Sequence, residues 1–123
     1  MKLLPAIALA LVLLFAGCAR RSFVLGMYDA PRSALPELKS AGFDLVTIAA
    51  GETNRLDYLR AARTQGLGVI AFPSLATAGG RAETRRLARQ PALWSWYLFD
   101  EPDLNVVSPQ ALHASRRQLR RLA

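Results

Sequence analysis

The chain has one cysteine, one histidine and two methionines among its 123 residues, and its nine acidic side chains are outnumbered by sixteen Lys and Arg. A lone cysteine excludes an internal disulfide. Cys18 also has no second cysteine and no nearby histidine with which to hold a metal, so no metal site is expected. No Gly-x-x-x-x-Gly-Lys phosphate loop is present; Gly79-Gly80 reads as a flexible connector, and no cofactor is expected. Aromatic residues make up only 8% of the chain and are not interleaved with the arginines, which are scattered over several predicted helices. The net charge of +7 therefore reads as solvated helix faces, some suited to anionic lipid, and no nucleic-acid partner is expected. His113, among polar neighbours in the last predicted helix, reads as a surface residue.

No apolar run approaches the roughly 20 residues that a spanning helix needs; the one from Leu3 to Phe15 has about 13. It follows Lys2 and precedes the small residues Ala16-Gly17, which is the layout of a secretory leader. Phe15-Ala16-Gly17-Cys18 resembles the lipobox of bacterial lipoproteins, with Phe15 where leucine is usual. That resemblance implies a lipoprotein signal peptide over 1–17, lipidation of Cys18, and a tether over 18–22. The protein would then be exported and lipid-anchored to the bacterial cell envelope, touching the bilayer surface without spanning it. Ala19 in place of aspartate permits transfer to an outer membrane where the cell has one. An ordinary signal peptide with an unrelated cysteine is the alternative.

From residue 23 onward, apolar runs and helical periodicities alternate. Phe23 to Tyr28 reads as a strand that stops at Asp29-Ala30-Pro31, because proline disfavours helix in the residue before it. Ser33 to Ser40, with Leu35 and Leu38 three apart and Gly42 as the stop, reads as a short helix. Phe43 to Ala50 is a second strand, and Arg55 to Gln65, with Leu56, Leu59 and Ala62 on one face, a second helix. Leu67 to Phe72 is a third strand cut by Pro73, and Arg81 to Gln90 a polar outer helix. Trp94 to Phe99 reads as a buried fourth strand running into Asp100-Glu101-Pro102-Asp103. Ser108-Pro109 then caps a helix carrying Leu112, Leu119 and Leu122.

Four strand–helix units predict an α/β fold with parallel strands and right-handed crossovers, either an open sheet or a barrel. In such folds the C-terminal strand ends and the loops after them form the functional face. Those ends carry Tyr28, Asp29 and Arg32, then Glu52 and Asn54, then Ser74, and finally Asp100, Glu101 and Asp103. Trp94 and Trp96 fall on one face of the fourth strand and read as packing, whereas Tyr28 and Tyr97 are placed for contact with a sugar.

Gly26-Met27-Tyr28-Asp29 on a first strand and Trp96-Tyr97-Leu98-Phe99-Asp100-Glu101-Pro102 on a fourth resemble the N-terminal half of a clan A type glycoside hydrolase TIM barrel. The resemblance implies that residues 23–123 form a partial (β/α) barrel of about four units, and that Glu101, at the end of the fourth strand, is the general acid/base. Tyr28, Asp29, Glu52, Ser74, Tyr97 and Asp100 would line a carbohydrate site. Asp100 stands where many members have asparagine. The nucleophile of the clan lies after a seventh strand, which these four units do not reach, so hydrolysis requires completion of the barrel by self-association or by a second half. A non-catalytic carbohydrate-binding lipoprotein and an inactive truncated fragment are the alternatives, and the residues alone leave all three open.

Overall fold

A computed structural model describes residues 23–122; the leader, the tether and Cys18 lie outside the described residues, as does Ala123. The chain forms a four-stranded sheet in the order β1-β2-β3-β4, from Gly26–Ala30 (β1), Leu45–Ile48 (β2), Gly68–Ala71 (β3) and Leu93–Trp96 (β4). Every adjacent pair is parallel. Helices α1 (Leu35–Ser40), α2 (Arg55–Thr64) and α3 (Ala78–Ala88) connect successive strands, a 3-10 turn at Arg32–Ala34 leads into α1, and α4 (Pro109–Arg120) follows β4. The sequence thus predicts the α/β class and the alternation correctly.

The core lies on one face of the sheet. Val46 and Ile48 of β2 and Val69 and Ala71 of β3 pack with Leu35 of α1, Tyr58, Leu59 and Ala62 of α2, and Leu87 of α3. Alternate strand residues point to opposite faces, so this parity marks the face that the helices cover. Burying a large apolar side chain of this kind contributes about 1.5–3 kcal/mol, enough for the short strands to be fixed by packing and not by propensity. The opposite face carries Leu45, Thr47 and Ile70, with a cavity of about 180 Å³ between β1, β2 and β3.

Two irregularities correct the strand boundaries expected from the apolar runs. Met27 pairs with Val46 and Ala30 with Ile48, so Tyr28 and Asp29 together oppose Thr47, and β1 extends past Tyr28 to Ala30. Likewise Val69 pairs with Leu93 but Ile70 with Ser95, which makes Trp94 an extra, bulged residue. As a consequence the two tryptophans do not share a face: Trp96 is packed against the core while Trp94 is 63% exposed. The fourth strand is also shorter than its apolar run, with Tyr97 to Phe99 beyond its end. Finally, Ala78-Gly79-Gly80 is not a connector but the first turn of α3, capped by the Thr77 hydroxyl, which accepts the Gly80 N–H at 3.0 Å.

Candidate functional site

Because all four strands are parallel, their C-terminal ends meet at one edge. A cleft of about 380 Å³ opens there, lined by Tyr28, Asp29, Ile48, Ala49, Ala50, Glu52, Arg55 and Phe72. Tyr28, 57% exposed, and Asp29 come from the β1 irregularity, which turns the strand end toward the cleft. Asp29 adopts a left-handed backbone, φ 53°. Its N–H donates to Thr47 Oγ1 at 2.6 Å and its Oδ1 accepts the Ala50 N–H at 2.8 Å. These two bonds hold an otherwise unfavourable conformation and fasten β1 to the loop after β2.

Glu52 has a side chain only 9% exposed, with Oε2 3.6 Å from Arg32 Nε. Its Oε1 accepts the Asn54 N–H at 2.9 Å. Asn54 in turn caps α2, since its side chain accepts the Asp57 N–H, so the loop that presents Glu52 is tied to the start of a packed helix. Across the cleft, the Arg55 guanidinium donates to the Phe72 carbonyl and lies 3.5 Å from Glu83 Oε2. Arg55 and Phe72 are site residues that sequence reasoning missed. Arg55 reads as the first residue of a helix and Phe72 as the last of an apolar strand; only their position beyond strand ends could have marked them.

Beneath the cleft, Tyr58 is fully buried and its hydroxyl donates to the Ala30 carbonyl at 2.8 Å. Burial, followed by the negative charges of Glu52 and Asp29, pushes its pKa well above the ordinary tyrosine range. On the β4 side, the Phe72 and Tyr97 rings meet edge to face with centroids 5.0 Å apart. The Tyr97 hydroxyl donates to Asp100 Oδ1 at 3.0 Å, and this bond, more than any other influence, raises the tyrosine pKa.

Of the residues expected at the site, Tyr28, Asp29 and Glu52 line the cleft, and Tyr97 and Asp100 form a bonded pair joined to it through Phe72. Ser74 is turned elsewhere: its backbone N–H donates to Thr84 Oγ1, and its side chain packs against Gly80. Glu101 is exposed in the loop after β4, with a left-handed φ of 38°, and its carbonyl accepts the Asn105 N–H at 2.9 Å. It is not among the residues that line the cleft. Cys18 lies outside the described residues. Among the described residues there is no group of three or more His, Cys, Asp or Glu that could hold a metal ion, and no helix is long and apolar enough to cross a membrane.

Compared with known proteins, the chain matches no family model, no curated protein and no solved structure.

Proposed function

We propose that the chain supplies the acid/base half of a (β/α) barrel glycoside hydrolase of the bacterial envelope, with Glu101 as the proton donor. The observation that carries this reading is the unbroken order of the parallel strands, β1-β2-β3-β4, with a cleft at their C-terminal edge. Sequential parallel neighbours with their core and helices on one face leave the other face free for a barrel interior. A sheet so arranged has two free edges, β1 and β4, and closure adds further parallel strands between them.

The site chemistry agrees with a sugar ligand. Tyr28 and the Phe72–Tyr97 pair offer aromatic surface, while Asp29, Glu52 and Arg55 offer fixed hydrogen-bonding groups for hydroxyls. Glycoside hydrolysis needs one carboxyl group to protonate the leaving oxygen and a second to act on the anomeric carbon or on water. Glu101, exposed in the loop after β4 and free of side-chain hydrogen bonds among the described residues, fits the first role. Asp29 and Glu52 already accept backbone hydrogen bonds, which suits them to positioning. The second carboxylate comes with the strands that close the barrel.

Turnover of an aryl glycoside by the protein, and its loss in Glu101→Gln, tests this reading. General acid catalysis supports a fall of about 10²–10⁴-fold in kcat. Unchanged turnover in the variant excludes Glu101 from the role, and oligosaccharide binding without any turnover favours a carbohydrate-binding protein instead.

A further inference from the structure

The end of the sheet opposite the cleft has a composition of its own. Successive strands are parallel, so each connecting helix must run antiparallel to them, and the last turns of α1, α2 and α3 gather at the N-terminal edge. Those turns carry Lys39, Arg63, Arg85 and Arg86, and Arg89 sits at the C-cap of α3. All five side chains are exposed, and none joins an ion pair among the described residues. The ends of α1 and α2 meet here, for Lys39 Cε lies 3.9 Å from where a Cβ on Gly66 would stand.

Helix dipoles favour a cation at each C-terminal end, but not a cluster of five with so little opposing charge. Two carboxylates stand near this edge among the described residues, Glu37 in the same short helix as Lys39, and Asp44, which accepts the Leu25 N–H at 3.1 Å. Asp29, Glu52, Asp100, Glu101 and Asp103 lie at the other edge, where Arg32 and Arg55 pair with Glu52 and Glu83 and the arginines of α4 add positive charge; what sets the N-terminal edge apart is that its cations have few carboxylates among them. Exposed apolar groups accompany the cations. Phe23, Val24 and Leu25 precede β1, and the bulged Trp94 borders a cavity of about 350 Å³ that Arg63 also lines. Cations interspersed with Trp and Phe are the composition of a surface that rests in the headgroup region of a bilayer.

We infer that this N-terminal edge docks on anionic phospholipid, with Phe23 and Trp94 entering the interface and the helix-end arginines meeting the phosphates. The C-terminal cleft then faces away from the membrane. Charge complementarity selects the partner, and chain geometry agrees: Cys18 lies five residues before Phe23, a reach of at most about 18 Å, so an anchor there holds this edge close to the bilayer. The inference is independent of the glycosidase reading.

The test uses the full chain carrying Cys18→Ser, which removes any acyl chain, and compares partition onto phosphatidylcholine vesicles with and without phosphatidylglycerol. The ratio of the two cancels whatever the apolar leader contributes. Each arginine at the surface supports about a fivefold change in partition, so Arg63, Arg85, Arg86 and Arg89 all changed to Gln lower the anionic-to-neutral ratio by roughly several hundredfold. Changing Arg116, Arg117 and Arg120 of α4 and Arg121 at its C-cap to Gln removes the same charge elsewhere. That helix is placed by Gln118, which donates to the Leu75 carbonyl beyond the end of β3, and its variant keeps the ratio. A salt series on the Cys18→Ser chain makes a check without the arginine substitutions, the preference fading as ionic strength rises. Equal loss in both quadruple variants, no preference for anionic vesicles, or binding to duplex DNA in place of vesicles would overturn the inference.

Discussion

Tyr58 and Tyr97 hold their protons for different reasons, and each reports on the edge that carries the cleft. Tyr58 is raised chiefly by burial, so its folded pKa lies above its unfolded value. The neutral form then stabilises the fold fully at lower pH, and that contribution is lost as pH climbs past the ordinary tyrosine value of about 10. Tyr58→Phe removes a bond to the Ala30 carbonyl and lowers stability by about 0.5–1.5 kcal/mol at neutral pH. Its denaturation midpoint then falls less steeply than that of the unaltered protein between neutral and strongly alkaline pH, as urea melts at several pH values measure. Tyr97 is half-buried, and its shift comes first from the hydrogen bond to Asp100. In Asp100→Asn the tyrosinate absorbance therefore appears at lower pH in a spectrophotometric titration; an unmoved titration means that the pair does not persist in solution.

At the level of elements, the two strand irregularities and the start of α3 do the positioning. The loop after β3 is held by Thr84, whose hydroxyl bonds both the N–H and the carbonyl of Ser74, and by Gly80, where an added Cβ would lie 2.8 Å from Ser74 Cβ. Gly80→Ala forces that loop outward and costs about 1–3 kcal/mol, read as a lowered thermal midpoint, whereas Gly79→Ala meets open space and is tolerated. The strand–helix alternation was legible in the sequence because Leu45–Ile48 is an unbroken run, β-branched after Leu45 and buried throughout, and the Leu56, Leu59, Ala62 stripe keeps a helical spacing. The bulge at Trp94 was not. A period-two reading assigns alternate residues to one face, and nothing in the string Leu93-Trp94-Ser95-Trp96 signals that one residue is extra. Gly79-Gly80 misled for the opposite reason: glycine pairs usually mark flexible loops, but here Gly80 is needed for close approach to Ser74. At the candidate site, Tyr28, Asp29 and Glu52 could be found because strand ends were countable. Arg55 and Phe72 could not, since their meeting depends on how α2 packs over β3.

On the scale of the molecule, the C-terminal edge mixes carboxylates, tyrosines and arginines, the N-terminal edge carries helix-end cations with few carboxylates among them, and between the two lies a sheet with helices on the face that carries the core. Tyr28 and Trp94, on the two edge strands, are both exposed, where a closed barrel would have neighbours for them. The central proposal is that Glu101 donates a proton across the cleft edge to a glycosidic leaving group. The most direct measurement compares kcat/KM for two glycosides of the same sugar, one with an activated dinitrophenyl leaving group and one with an alkyl leaving group, in the unaltered protein and in Glu101→Gln. A proton donor matters most where the leaving group is poor, so the account expects the alkyl glycoside to lose about 10²–10⁴-fold while the dinitrophenyl glycoside loses far less. An equal loss on both substrates, or none on either, contradicts it.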